Sequence, residues 1–421
     1  MWYAMSMSIK ISLYIHIPFC RHRCAYCDFN TYAGQEGLIP SYLKALEDEI
    51  EQVGKKLTFP FEVGTIFLGG GTPSYLPVEG LQNILDTCRR AFLISKECEI
   101  SIEANPGTVN RDGLSQLRMA GFNRISMGMQ SANINELRLL EREHDPVTVI
   151  RAVESARLAG FENLNLDLIF GIPGQTMESW QQSIQFALRL KPDHLSLYAL
   201  TIEHGTPFKK WIERGLINLP DDDLAADQYD FACELLAEAG FEHYEISNWA
   251  LKFDHQAKVC HHNLQYWRYL PYIGVGAGAH GFLENYRTIN VRGIKAYIDR
   301  MKLGVEMPYP ASSAAEQVIE MDLWTQMQEK MMVSLRLLNE GVSATSFARQ
   351  FGVELEEVFG NQIARLIQQG LLEWVDNPTQ GCLRLTRQGW LLANRVFREF
   401  IGLKEPPLLR KFTHSTTTRV P

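Results

Sequence analysis

The sequence predicts an α/β fold in which a partial parallel (β/α)6 barrel precedes a smaller, mostly helical domain. Two observations support this prediction. From about residue 12 to residue 249, short β-branched or apolar runs alternate with longer segments of helical period, which is typical of parallel strands joined by crossover helices. After the glycine-rich segment 272–281 the alternation stops and helical segments dominate. About six βα units favour a full or partial barrel over an open sheet.

The individual elements of the barrel follow from the same periodicity. Gly121, Gly160 and Gly240 each precede a phenylalanine, which suits a left-handed helix C-cap leading back into the sheet. Strands are expected at 12–17, 64–68, 99–103, 124–127, 163–169, 194–199 and 243–247. Helices are expected between them at 40–53, 78–90, 110–120, 147–159, 178–190 and 223–239.

The C-terminal part is expected to contain two helices followed by a β-hairpin, as in winged-helix modules. Helical segments are predicted at 293–302, 314–338, 343–351, 355–369 and 386–400, with a strand-turn-strand at 371–375 and 382–385. Because no basic recognition face is visible, an interaction or lid role is favoured over DNA binding. The predicted limits are an N-terminal extension at 1–11, the barrel at 12–290, the helical domain at 291–403 and a flexible tail at 404–421.

Composition excludes several classes of protein. The 421 residues hold 41 Lys and Arg against 49 Asp and Glu, a net charge of −8, which disfavours a nucleic-acid-binding protein with a general basic surface. No apolar run approaches the roughly 20 residues that cross a bilayer, and residues 1–7 do not resemble a secretory signal. Eight cysteines are too sparse for a disulfide scaffold. We therefore expect a protein of the reducing cytoplasm.

Three of these cysteines lie within eight residues. Cys20, Cys24 and Cys27 are spaced C-x3-C-x2-C in a loop that leaves the first predicted strand, so their sulfurs can converge on one metal centre. A cubane cluster held by three thiolates keeps one iron open for a small molecule. A zinc site completed by His16 or His22 is the alternative, and ordinary free thiols are a third.

The cysteine spacing, with Tyr26 just before the third cysteine, resembles the signature of the radical S-adenosylmethionine (SAM) proteins. The resemblance implies a [4Fe–4S] cluster on Cys20, Cys24 and Cys27, and SAM bound at its open iron and cleaved reductively. It also implies a SAM site at the carboxyl ends of the barrel strands. The candidate residues there are Tyr14, Tyr26, Gly70, Gly71, Thr72, Glu103, Gln130, Arg142 and Asp167.

Four longer sequence segments resemble those of one branch of this family. The branch contains the oxygen-independent coproporphyrinogen III oxidases and the haem chaperones of HemW type. The four segments begin at Tyr14, Gly69, Ile102 and Asp167, and the resemblance covers about residues 12 to 403. The oxidases carry a fourth cysteine two positions after the third, where this chain has Phe29. That difference disfavours porphyrinogen oxidation.

A second motif resembles the H-N-x-x-Y-W sequence of the haem chaperones. His262 stands at its histidine position with Cys260 two residues upstream, and both are possible iron ligands, as is His261. Tyr266 and Trp267 offer flat apolar faces to a macrocycle. Without the resemblance, a buried structural histidine and packing aromatics would be the preferred interpretation.

The resemblance therefore implies a cytoplasmic haem chaperone that delivers haem to respiratory-chain proteins, with transient membrane association, possible homodimerisation and no nucleic-acid partner. The alternative is an oxygen-independent coproporphyrinogen III dehydrogenase. No catalytic residue is assigned, and whether SAM is cleaved during function is left open.

Overall fold

The computed structural model of the protein describes residues 9–57, 61–254, 256–407 and 409. These residues divide into two compact units. The first contains the chain up to His243 together with Ser247–His262 and Pro271–Ile319, and the second contains Tyr244–Ile246, Asn263–Leu270 and the chain from Glu320 onward. Residues 1–8 of the predicted extension, and most of the predicted tail (408 and 410–421), lie outside the described residues.

Six parallel strands form the centre of the first unit and pair in chain order, as predicted. They are β1 (Ile9–Ile17), β2 (Phe61–Gly70), β3 (Leu93–Ala104), β4 (Arg124–Gln130), β5 (Leu164–Phe170) and β6 (His194–Ala199). The helices between and after them are α1 (Ile39–Lys56), α2 (Val78–Ala91), α3 (Arg111–Ala120), α4 (Ile134–Leu139), α5 (Pro146–Leu158), α6 (Met177–Arg189), α7 (Pro207–Glu213) and α8 (Asp222–Glu238).

Further strands, most of them antiparallel, extend this sheet at both sides. Beyond β6 lie β8 (Asn248–Phe253) and β7 (Phe241–Glu245), with β9 (Gln256–Ala257) paired to β8. Beyond β1 lies β10 (Tyr272–Val275), parallel to β1, followed by β11 (His280–Leu283), β12 (Tyr286–Asn290) and β13 (Ala315–Glu320). Helix α9 (His261–Trp267) precedes β10, and α10 (Ile294–Leu303) lies between β12 and β13.

Burial explains why these segments form strands and helices. Every residue of β4 is buried, as expected for a strand covered on both faces. The helices begin at side-chain caps such as Asn110, Asp145 and Thr176. Gly121, at the end of α3, has a φ of 114° and closes the helix with a left-handed cap, as predicted.

Besides most of α9, the second unit contains a small three-stranded sheet and five further helices among the described residues. They are α11 (Leu323–Ser334), β14 (Val342–Ser343), α12 (Ala344–Phe351), α13 (Leu355–Gln368), β15 (Leu372–Val375), β16 (Cys382–Leu385), α14 (Arg387–Leu391) and α15 (Ala393–Arg398). The sheet order is β14-β16-β15, so two helices precede a hairpin as in winged-helix modules. Phe347, Phe359 and Phe400 lie fully buried in its core.

The structure differs from the sequence-based expectations at several elements and at one boundary. Strands β8 to β12 were not predicted, and the predicted helix 386–400 is divided into α14 and α15. The predicted helix 314–338 is wrong at its start, because Ala315–Glu320 is an exposed edge strand. The first unit continues to Ile319 and does not end near residue 291. This stretch belongs to the first unit because β13 continues its sheet. The buried Glu49 carboxylate of α1 also accepts hydrogen bonds from Asn290, Tyr297 and Ser312 at 2.6–2.7 Å.

Within the described residues, no helix combines the length and the apolar character needed to cross a membrane.

Candidate functional site

The loop that follows β1 holds the three clustered cysteines. Its ends are joined because the Cys20 amide donates to the Tyr32 carbonyl (3.0 Å) and the Tyr32 amide donates to the Pro18 carbonyl (2.8 Å). Inside it, the Cys27 amide donates to the Cys24 carbonyl (3.1 Å), which makes a tight turn. The backbone therefore holds three thiols in one short closed loop.

Each thiol has a different polar neighbour. Thr72 Oγ1 donates to Cys20 Sγ (3.5 Å), Arg142 Nη1 donates to Cys24 Sγ (3.4 Å), and Thr31 Oγ1 lies 3.7 Å from Cys27 Sγ. Burial, and then the neighbouring thiols of Cys27 and Cys24, raise the pKa of Cys20 to about 11. Three thiols that repel one another as thiolates are a donor set that a cationic iron cluster stabilises.

The two histidines considered as a fourth zinc ligand are engaged elsewhere. Asn30 O can only accept, so His16 Nε2 donates to it (2.9 Å) and His16 Nδ1 accepts from the Tyr14 hydroxyl (2.9 Å). His22 Nε2 pairs with Glu141 at 3.3 Å. Among the described residues, no three His, Cys, Asp or Glu side chains are grouped to hold a single metal ion. The arrangement of the donors fits the wider cluster better than zinc.

The glycine turn after β2 lies directly on the cysteine loop. The Gly71 amide donates to Ile17 O and the Thr72 amide donates to Phe19 O, both at 2.8 Å. A Cβ on Gly71 would lie 2.8 Å from Ile17 O and 3.1 Å from Cys20 Sγ, and a Cβ on Gly70, where φ is 110°, would collide with the His16 ring. At positions 70 and 71, therefore, only glycine avoids these close contacts.

Two carboxylates lie beside the turn. Glu103 Oε2 accepts from the Gly70 amide (3.0 Å), and burial, with the charge of Asp167 second, raises the pKa of Glu103 to about 7. Asp167 accepts from Asn165 Nδ2 (2.8 Å) and Ser126 Oγ (3.1 Å), and burial raises its pKa too. Such raised pKa values mark carboxylates that gain from a cationic ligand.

Arg142 and Gln130 complete the ring of predicted residues. Arg142 Nη2 donates to Gly128 O (2.9 Å), while its Nε is buried without a hydrogen-bond partner among the described atoms. Gln130 has a φ of 65°, and a Cβ at Gly128 would meet both Gln130 Nε2 (2.7 Å) and Arg142 Nη2 (3.1 Å). Tyr26 is close enough for the Arg142 charge to oppose the rise in its pKa that burial causes. An orphaned buried donor beside the cysteines fits a bound polar molecule such as SAM.

The structure thus links the predicted residues through a chain of contacts, in which Arg142 lies against both Cys24 and Gly128 and Glu103 lies against Gly70. Sequence reasoning missed Arg124, which is fully buried at the start of β4. Its charge opposes the raised pKa of both Glu103 and Asp167. An arginine at the start of a predicted buried strand was the available signal.

The residues predicted to contact haem lie in different surroundings. His262 is buried, its Nδ1 lies 2.8 Å from Thr65 Oγ1, and its ring stacks on Phe67 at 5.1 Å between centroids. Cys260 is also buried, and its thiol donates to Glu99 Oε1 (3.6 Å). Burial, and then Arg124, lower the pKa of His262 to about 3.

Tyr266 and Trp267 belong to the second unit and are half-buried there. The Arg336 guanidinium lies 4.3 Å from the centre of the Trp267 ring and pairs at 3.0 Å with Glu245, whose side chain is fully buried. One face of Trp267 is therefore already covered by a cation.

Comparisons with known proteins show the family to which this chain is similar. The chain matches the radical SAM superfamily over residues 14–187 and the HemN C-terminal domain over residues 321–392. It is 39% identical over 392 residues to a Bacillus subtilis protein named "Heme chaperone HemW", covering 93% of this chain and 99% of the relative. The Escherichia coli protein of the same name is 42% identical over 399 residues, covering 93% and 98%.

The chain belongs to the radical SAM superfamily, in its HemW branch. The solved structure of coproporphyrinogen III oxidase (HemN) from Escherichia coli, described as a radical SAM enzyme, is also similar, with a TM-score of 0.77, 26% identity and coverage of 93% of this chain and 90% of the other. The predicted family and the predicted barrel with a helical C-terminal domain are confirmed. Membership of the radical SAM superfamily implies a [4Fe–4S] cluster and SAM.

Proposed function

We propose that this protein is a haem chaperone of HemW type that holds a [4Fe–4S] cluster on Cys20, Cys24 and Cys27, binds SAM and carries haem to respiratory-chain acceptors. The observation that supports this most directly is the identity of 39% and 42%, over nearly the full length, with relatives named "Heme chaperone HemW". The proposed location is the cytoplasm.

In this proposal the ring of polar residues binds SAM through its amino-acid and ribose parts. Glu103, held by the Gly70 amide, receives the ammonium group, and Asp167 receives a ribose hydroxyl. Arg142 donates from its orphaned Nε to a SAM oxygen while its other nitrogens stay on Cys24 and Gly128. When bound, the cluster supplies an open iron for the amino-acid part and the electron for SAM cleavage.

The segment Cys260–Trp267 is proposed to take part in haem binding, as the H-N-x-x-Y-W motif implies. His262 and Cys260 can reach an iron only if the contact with Thr65 and the thiol hydrogen bond to Glu99 break, because both side chains are buried. His261 is the exposed imidazole of this segment.

A second candidate function is the oxidative decarboxylation of coproporphyrinogen III, as in the enzyme with the TM-score of 0.77. Phe29 disfavours it, since the oxidases carry a fourth cysteine at this position. In an anaerobic assay with SAM and a reductant, we expect no protoporphyrinogen above one equivalent per chain. Formation over multiple turnovers would establish the oxidase and refute the chaperone-only function.

The deciding experiment for the chaperone is a haem titration of anaerobically prepared protein. We expect a saturable Soret shift, together with roughly 4 iron and 4 sulfide per chain before haem is added. Cys20→Ala should lose the iron and sulfide, and its titration shows whether haem binding depends on the cluster. The absence of any Soret shift in the unmodified protein would refute the proposal.

A further inference from the structure

Phe29 is an exposed aromatic side chain beside the cysteine loop. It follows Cys27 by two residues, and 64% of its surface is exposed. A phenyl ring in water gains free energy when a flat apolar molecule covers it. Nothing in the SAM site described above uses this ring.

Two arginines lie at the same loop. Arg23 Nη2 donates to the carbonyl oxygens of Cys27 (3.1 Å) and Phe29 (3.5 Å), so its guanidinium lies along the backbone that carries the exposed ring. The Arg292 carbonyl accepts from Asn30 Nδ2 (3.0 Å) and Tyr32 OH (3.4 Å), which fixes residue 292 against the far end of that loop. Both arginine residues are exposed.

Neither arginine is neutralised. Within the described part of the chain, no carboxylate forms an ion pair with Arg23 or Arg292, whereas the neighbouring Arg21 pairs with Glu143 at 3.8 Å. The two backbone contacts of Arg23 leave further guanidinium donors unused. In a chain of net charge −8, the loop of the exposed ring thus holds the Arg23 guanidinium along its backbone and a second arginine whose backbone carbonyl is hydrogen-bonded to Asn30.

We infer that Phe29, Arg23 and Arg292 form a docking surface for a flat, apolar dianion, namely haem, with the macrocycle against Phe29 and the propionates on the arginines. This inference rests on the proposed haem chaperone function and adds a contact surface beside the cluster that the H-N-x-x-Y-W motif does not include. Carboxylates and guanidinium groups form paired, charge-assisted hydrogen bonds, and the ring supplies the apolar contact.

The test compares haem with haem dimethyl ester, in which the propionate charges are removed. The full chain with its cluster is titrated by absorbance, and iron and sulfide are measured for each variant. We expect Arg23→Gln with Arg292→Gln to weaken haem binding about a hundredfold, about tenfold for each arginine, and to leave ester binding unchanged. Phe29→Ser should weaken the binding of haem and of its dimethyl ester about tenfold each.

Matched controls are available. Phe253 is 70% exposed on β8, and Arg111 is exposed at the start of α3, so Phe253→Ser and Arg111→Gln should bind both ligands as the unmodified protein does. If Phe29→Ser lowers the iron content, Phe29→Leu is tested in its place. That variant must also bind haem and its dimethyl ester more weakly than the unmodified protein does. Haem binding by the arginine variant equal to that of the unmodified protein would overturn the docking surface but not the chaperone function. An unmodified protein that binds no haem would refute both.

Discussion

Glu103 links SAM binding to pH. Its carboxylate is half-buried on β3 and accepts from the Gly70 amide, while burial and Asp167 raise its pKa from 4.5 to about 7. Since one pKa unit corresponds to about 1.4 kcal/mol, ionising Glu103 in the folded protein costs about 3 kcal/mol more than in the unfolded chain. A cation bound at this carboxylate, such as the SAM ammonium group, offsets that cost.

The sign of the effect follows from proton binding. Between pH 4.5 and pH 7 the folded protein keeps a proton on Glu103 that the unfolded chain has lost, so this group lowers the free energy of unfolding by about 1.4 kcal/mol per pH unit as pH rises. With the SAM ammonium group on this carboxylate, as proposed, SAM binding requires the ionised form and releases this proton. Below pH 7 the affinity for SAM should fall about tenfold per pH unit.

The assay is calorimetric titration of SAM into cluster-loaded protein from pH 5.5 to pH 7.5, a range in which an α-amino group remains largely protonated. Repeating it in buffers of different ionisation enthalpy counts the proton released. In Glu103→Gln the affinity should be weak and nearly independent of pH, whereas Glu97→Gln, an exposed change on the same strand, should behave as the unmodified protein. An equal pH dependence in Glu103→Gln and the unmodified protein would refute the reasoning.

Three further predictions concern the loop and the second unit. Gly71→Ala places a Cβ 3.1 Å from Cys20 Sγ and against backbone carbonyls, so iron content per chain should fall by more than half. Phe208→Ala leaves a cavity at a fully buried position, and the amide of this residue donates to Ala25 O in the cysteine loop. The free energy of unfolding, measured in urea, should fall by about 3–5 kcal/mol. The absorbance of the cluster should also bleach faster in air. Arg336→Ala removes the cation beside the buried Glu245 carboxylate and should cost about 3 kcal/mol, measured by thermal unfolding.

Each of these changes has a matched control. Gly37→Ala, the control for Gly71→Ala, adds a Cβ with nothing within 4 Å. Leu216→Ala, the control for Phe208→Ala, truncates a side chain that is 66% exposed. Arg365→Ala breaks an exposed ion pair with Glu399 in the second unit, which should cost no more than about 1 kcal/mol. The structural reasons would be contradicted if a control lowered the iron content or the stability as much as its variant does. They would also be contradicted if a variant lowered these quantities no more than its control does.

Strands of the barrel could be predicted from sequence because each contains a buried stretch of mostly apolar or β-branched residues. β13 could not, since its pattern of one buried residue followed by mostly exposed ones has neither a core face nor the alternation of a half-buried strand. The C-terminal limit of the first unit could not be predicted from the sequence either. It depends on the pairing of β13 and on the contacts of Glu49, a single acidic residue in α1 whose partners lie more than 200 residues away in sequence.

The candidate cluster and SAM residues could be proposed from the sequence because their spacing and their positions at strand ends are local features. Arg124, Asn30 and Phe208 were not, since their effects on the site depend on tertiary contacts. Asn30 donates to Ala277 O (2.9 Å) and thereby ties the cysteine loop to the glycine-rich turn at 276–278. Phe208 reaches the same loop from α7. A periodic pattern carries no information about such contacts.

The buried position of His262 has a kinetic consequence. Its ring lies against Thr65 and Phe67, and Glu99 accepts from the Cys260 thiol and from the His261 and His262 amides. Haem ligation by His262 therefore requires a local opening, so the observed rate should level off at the opening rate as haem concentration rises.

Docking on the exposed Phe29 needs no such opening, and its rate should rise linearly with haem concentration. If both contacts are used in sequence, stopped-flow mixing should resolve a concentration-dependent phase followed by a concentration-independent one. Arg23→Gln should then slow the first phase, because it removes charge that attracts the propionates, and leave the second unchanged. A change confined to the second phase would place Arg23 in the opening step and not in haem capture.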